Sequence, residues 1–258
     1  GVPGAAQADP PASPLDKAAF VEAFRSAVRL ARTGEEQAAI DAFTGLTRDE
    51  PGVADVWMHL ARVAARHERH ELALEAFRQT IALEPSNTAA HLGAAGSGLR
   101  LRKVDDAETD AQFVLDDAQA EPVQKAEAHE VLARVALNRK DRDRARTEAD
   151  AAEAADPNRP VRAFVDGRIA LDDARYADAV DAFQRALDAA QTAKRVPLAD
   201  LRVYAAEALA RADRRADAEL LLNDELAAFP ANARARTALQ ALLRSTGRAK
   251  EAAALTQH

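Results

Sequence analysis

The chain has 258 residues, 48% of them apolar but only 4% aromatic, with a formal net charge of −7 and no cysteine. The acidic balance excludes the basic footprint of a nucleic-acid-binding domain. The lack of thiols excludes a disulfide framework, a cysteine nucleophile and any Cys-based zinc site. No stretch reaches the roughly 18 apolar residues that a membrane span needs.

Most of the apolar share is Ala, which has the best helix propensity and lets helices approach closely. Runs of alternating β-branched and aromatic residues are missing, so strands are not expected. The composition reads as all-α. It fits reducing and oxidising compartments equally, so localisation stays open between the cytoplasm and a periplasmic or other extracytoplasmic space.

Residues 1–15, GVPGAAQADPPASPL, are rich in Ala, Pro and Gly and read as a flexible tail or linker. The chain begins with Gly1, which points to processing or to an excised piece, and no charged segment leads into an apolar one as in a signal peptide. Asp16 is placed to cap the first helix, and residues 16–258 then form one repeat domain.

The register is clearest in the 34 residues from Ala54 to Asn87. Trp57, Leu60 and Ala61 open one apolar helical face, Ala73 and Phe77 lie on a second, and Pro85 closes the unit. Stepping by the same period places units at 20–53, 54–87, 88–121, 126–159, 160–193 and 199–232, with a partial unit at 233–258. Short insertions, Pro122–Lys125 and Lys194–Leu198, break the period. Both carry a proline suited to a first helical turn, so the first helices after them are expected to start about a turn early. Position 20 of the seven units reads Ala39, Ala73, Ala107, Ala145, Ala179, Ala218 and Ala252. A larger side chain at a close helix crossing would overpack it, at a cost of about 1–3 kcal/mol.

These anchors resemble the tetratricopeptide repeat pattern, with Ala61 in place of Gly and Ala64 in place of Tyr, over nearly all of residues 16–258. The resemblance implies an α-α superhelix, a solenoid of stacked antiparallel helix pairs stabilised by their neighbours. It also implies that the first helix of each pair lines a concave groove.

Catalytic signatures are missing. Gly96–Gly98 lacks the Lys-Ser/Thr of a phosphate loop, and Ala95 and Leu99 stand where a nucleophile elbow needs glycines. His67-Glu68-Arg69-His70 is one residue short of a zinc-protease motif, and His67 and His70 straddle a turn, so no metal or cofactor is expected. Paired carboxylates such as Asp105–Asp106 and Asp172–Asp173 read as solvated outer charges. The chain is therefore read as a non-enzyme.

Two departures from the pattern carry expectations. Gly93 and Gly96 fall on the groove side of unit three, where they would leave a shallow notch or a flexible point. Asp166 falls where a core residue belongs, and Arg202 of the next unit is its expected partner.

The resemblance places repeat positions 5, 6, 9 and 13 of each first helix in or beside the groove. Those positions carry Arg25, Arg32, Arg62, Arg66, Arg100, Arg134 and Arg168, with His59, and with Phe24 and Met58 in an apolar row alongside. Arg guanidinium binds carboxylates through two parallel hydrogen bonds. The set therefore predicts a protein or peptide partner with acidic groups and apolar anchors, and no nucleic acid. The lysine–asparagine carboxylate clamp of some family members is not reproduced, since Phe24 and Val28, then Met58 and Arg62, occupy its positions.

The leading expectation is a scaffold for protein–protein interaction. One alternative is the C-terminal repeat region of a larger bacterial enzyme, of the kind seen behind sulfatase-like catalytic domains. Another is a self-assembling scaffold joined through the incomplete seventh unit.

Overall fold

Helices succeed one another through residues 16–256, the part of the chain that the computed structural model describes. Fourteen of them run as seven antiparallel pairs among the described residues. The pairs are α1 (Lys17–Arg32) with α2 (Glu36–Asp49), α3 (Ala54–Arg66) with α4 (His70–Leu83), and α5 (Thr88–Arg100) with α6 (Val104–Asp116). Then come α7 (Pro122–Asn138) with α8 (Arg142–Ala155), and α9 (Val161–Asp172) with α10 (Tyr176–Thr192). The last two are α11 (Leu201–Arg211) with α12 (Arg215–Ala228), and α13 (Ala233–Ser245) with the short α14 (Ala249–Ala254). The tail expected at residues 1–15 lies outside the described part.

Every helix packs on its successor in the chain. The odd-numbered helices also touch one another in series, whereas no two even-numbered helices meet among the described residues. The odd helices therefore form the tighter, concave side of the superhelix. All seven crossing alanines are fully buried. Phe43, Phe77, Phe183 and Leu222 fill the space between neighbouring pairs, while Ala111 and Ala149 take that place in the middle of the array.

Helix ends recur with the same chemistry. The Asp16, Asn87, Asp141 and Asn232 side chains each accept a backbone N–H three residues on. The turn inside each pair uses one left-handed residue: Gly34 and Gly247 in the outer pairs, and Glu68, Arg102, Lys140, Ala174 and Asp213 between them. The N–H that follows it reaches back to close the helix, as Arg69 does onto the Ala64 carbonyl at 2.8 Å.

Three expectations change. α7 does begin early, at Pro122, but Pro197 starts no helix. Instead α10 runs on to Thr192 and residues 193–200 form a loop, because buried Leu198 and Leu201 pin the chain inward. Asp166 does not meet Arg202: it pairs with Arg162 at 3.2 Å and Arg146 at 3.7 Å, and Arg202 donates to Glu225 at 3.0 Å. Asp166 is a partly solvated residue in a charged outer cluster and never enters the core. Gly93 leaves no notch, because the Phe77 ring fills it, and a Cβ there would stand 2.2 Å from two ring carbons.

Histidines near the helix crossings serve packing. His91 joins the buried Asp110 at 3.0 Å and the Pro85 carbonyl at 2.9 Å, with Arg78 clamping the same carboxylate through both oxygens. His129 meets Glu148 at 2.7 Å in the matching place one pair on. His67 pairs with Glu36 across the turns of the first two helix pairs. Among the described residues no group of three or more His, Asp or Glu could hold a metal ion.

Candidate binding face

The concave face is built from one register of the odd helices. Gly96, Arg134 and Arg168 at one repeat position, with Arg100 and Asn138 at another, line a cavity between α5, α7, α9 and the inserted loop. Arg66 and Arg100 line a second cavity beside it. The same register puts Arg25 and Arg32 of α1, and His59 and Arg62 of α3, on this side.

Its N-terminal part is open. Arg25, Arg32, Arg62 and Arg66 are all exposed, and none has an acidic partner within ion-pair distance among the described residues. Beneath them the apolar row is tied up in packing. Phe24 stands edge-on to Phe43, with centroids 6.0 Å apart, and to the His59 ring at 5.0 Å. The His59 ring donates to the Asp55 carbonyl at 2.8 Å, which fixes its orientation. Met58 is only 7% exposed and belongs to the core, so it presents nothing to a ligand. Phe164 farther along the row is completely buried, and Phe24, Leu92 and Val203 are half-buried. The sequence row of apolar anchors is thus an internal seam, because this helix edge turns toward the next pair.

The C-terminal part is closed by the chain itself. The loop 193–200 carries Lys194 and Asp200 in left-handed backbone conformation and turns into the groove. Asp200 is 3% exposed. Its carboxylate accepts from Arg100 at 2.5 Å, from Arg234 at 2.9 Å and from the Asn232 amide at 3.3 Å. Residues from α5, from α13 and from the turn before α13 thus meet on one oxygen pair. Arg134 fixes the same loop by donating to the Ala199 carbonyl at 2.9 Å, while its Nε holds Glu130 at 3.1 Å.

Burial alone would raise the Asp200 carboxyl, but the charges of Arg100, Arg234 and Arg134 outweigh it and hold it below the usual carboxylate range.

Arg168 differs from these. Its guanidinium lies 4.0 Å from the Tyr204 ring centre and 5.8 Å from that of Phe164, and Arg134 lies over the same Phe164 ring at 4.4 Å. It has no carboxylate partner among the described residues. Burial lowers it below the ordinary guanidinium value, and the neighbouring Arg134 and Arg234 add to that. It borders a cavity of about 170 Å³ that also touches Asn138, Tyr204, Glu130 and Asp200.

The second cavity, about 370 Å³, is walled by Ala65, Phe77, Gly93 and Gly96 on one side and by Glu225 and Phe229 on the other. Gly96 opens to both spaces, and nothing would meet a Cβ there within 4 Å. Asp200, Asn232 and Arg234 were not among the residues the sequence singled out. Asp200 and Arg234 hold the second position of the sixth and seventh units, and the five-residue insertion Lys194–Leu198 just before Asp200 was the available signal that the chain departs from the repeat there.

A family model described as Tetratricopeptide repeat matches residues 24–88, 67–122 and 99–160. A search of curated proteins finds no match. Among solved structures, PilW, a widely conserved type IV pilus biogenesis factor, superposes with a TM-score of 0.59 at 16% identity, covering 87% of this chain and 100% of that one. A tetratricopeptide repeat protein from Parabacteroides merdae gives 0.57 at 13% identity over 92% of this chain and 90% of its own. PilF of Pseudomonas aeruginosa gives 0.53 at 16% identity over 84% and 95%. At such identities these likenesses concern the fold alone.

Proposed function

The chain belongs to the tetratricopeptide repeat family, whose members generally mediate protein–protein interactions, and from that premise we propose that it is a non-catalytic module that takes an acidic segment of a partner protein on its concave face. The observation that carries this reading is the set Arg25, Arg32, Arg62 and Arg66, four exposed guanidiniums on one register with no internal carboxylate among the described residues. A guanidinium held on a rigid helix presents its fork of donors at little entropic cost, and a carboxylate can take two of them at once. The apolar cavity beside Arg66, between Phe77 and Phe229, offers a place for one apolar side chain of the same segment.

A fluorescein-labelled dodecapeptide of alternating Glu and Leu tests this by anisotropy. It should bind with an affinity that falls as salt rises. The double variant Arg62→Gln, Arg66→Gln should weaken it roughly tenfold or more, in line with the ~1.5–3 kcal/mol of a charged hydrogen bond. The Gln–Leu analogue should bind weakly to both proteins. Equal affinity of the Glu peptide for wild type and double variant overturns the proposal.

A further inference from the structure

We propose that the C-terminal chamber of the concave face is a second, separate binding site, and that it seats a small carboxylate on Arg168 beside the chain's own Asp200. The chamber shares Gly96, Arg100, Ala199 and Asp200 with the cavity beside Arg66, but Arg168 lines the chamber alone, so this site stands whether or not the open half binds a peptide.

Charge makes the first argument. Four guanidiniums, Arg100, Arg134, Arg168 and Arg234, border the cavity against two carboxylates, Glu130 and Asp200. This is a local positive excess inside a chain of net charge −7. Concave walls of low dielectric focus such an excess and raise the local concentration of an anion.

The second argument is geometry. Asp200 takes Arg100 and Arg234, and Arg134 is spent on Glu130 and the Ala199 carbonyl. Arg168 is left over. Stacking on Tyr204 uses the face of its guanidinium and leaves the in-plane N–H donors free for an acceptor. Burial lowers its pKa below the ordinary guanidinium value, and the pull of Tyr204 and Asp172 does not make up the difference.

The third argument fixes the ligand class. The chamber already holds one carboxylate between two guanidiniums and the Asn232 amide, and Asn138 stands in the wall beside Arg168 as a comparable amide. A cavity of about 170 Å³ is small beside drug-sized pockets, which run to roughly 300–1,000 Å³. It suits a carboxylate group or a short dicarboxylate. Glu130 and Asp200 in the same wall would repel a phosphate dianion more strongly than one carboxylate.

The test uses the full chain and succinate, against sodium chloride at equal ionic strength, with thermal unfolding followed by circular dichroism. Wild type should show a saturable rise in unfolding midpoint, roughly 3–6 °C at ten times Kd. Arg168→Gln should lose the rise. Arg168→Lys, which keeps the charge without the planar fork, should retain a part of it and shows that the site tolerates change without unfolding. Arg62→Gln with Arg66→Gln should keep it in full. A hexapeptide ending in Asp separates the sources: a stronger rise than with succinate means the carboxylate arrives on a chain, a weaker one that it arrives free. An absent rise in wild type, or one of equal size in Arg168→Gln, overturns the proposal.

Discussion

The two halves of the concave face carry the same residue at the same repeat positions and do opposite things with it. In α1 and α3 the inner arginines are exposed and unpaired among the described residues. In α5 and α7 the corresponding Arg100 and Arg134 are pulled into the chain's own contacts with Asp200, Glu130 and the Ala199 carbonyl. Apart from the Glu130 pair, which lies within α7, the difference comes from one insertion. Residues 193–200 break the period, turn inward on buried Leu198 and Leu201, and deliver a carboxylate where a ligand would otherwise sit. A repeat register therefore determines where a side chain points, and an insertion elsewhere in the chain decides whether it is free.

The sharpest way to break this contrast is to remove the acid that follows the insertion. Asp200→Ala removes the shared counter-charge of the largely buried Arg100, which keeps Glu68 at 3.5 Å, and of the exposed Arg234. The charged hydrogen bonds it removes are worth roughly 1.5–3 kcal/mol each. Denaturant unfolding should show a loss of that order. Amide exchange should quicken in α11–α13 and stay unchanged in α1–α4, since neighbours alone carry stability in a stacked array. Uniform quickening would mean that the two halves are not separate.

A second test contrasts two glycines on the wall between the halves. A Cβ on Gly93 would overlap the Phe77 ring, so Gly93→Ala should destabilise by about 1–3 kcal/mol through overpacking. Gly96→Ala meets nothing and should gain up to about 1 kcal/mol from helix propensity. Similar values for both would mean that Phe77 swings away freely and that the wall is soft.

The register, the helix pairs and the crossing alanines were legible because they obey a period, and small size at position 20 has one physical cause. What the sequence hid was whatever breaks that period. Met58 shares a wheel position with groove residues, but its helix edge faces the next pair, which the period of one helix does not reveal. Asp166 sits at an apolar position, yet its side chain is partly exposed and Arg162 and Arg146 reach it. Asp200 carries no motif at all. Its role depends on Arg100, one hundred residues earlier, and on the left-handed turn that aims it.

Acid should erase the closed half first. The Asp200 carboxyl titrates below its unfolded value, so its stabilisation is fully present above an unfolded pKa of about 3.9 and is lost as pH falls through the lower folded value. The stability gap between wild type and Asp200→Asn should be constant from neutral pH down to about pH 5 and should shrink below about pH 4. A gap that persists to pH 2 would show that the loop is held by Leu198 and Leu201 and owes little to charge.

The smallest expected effect bears most directly on function. Arg62 and Arg66 are exposed and touch no carboxylate among the described residues, so the double variant Arg62→Gln, Arg66→Gln should change stability by no more than about 0.5 kcal/mol, as surface changes away from special features do. Arg134→Gln makes the matched comparison at the position equivalent to Arg62. It deletes charged hydrogen bonds to Glu130 and Ala199 and should cost roughly 1.5–3 kcal/mol. If unfolding measurements return that asymmetry, the open arginines do nothing for the fold, and what they do is left to binding. If the Arg62, Arg66 variant proves as costly as Arg134→Gln, those side chains are already engaged within the chain, and the open half of the groove is closed too.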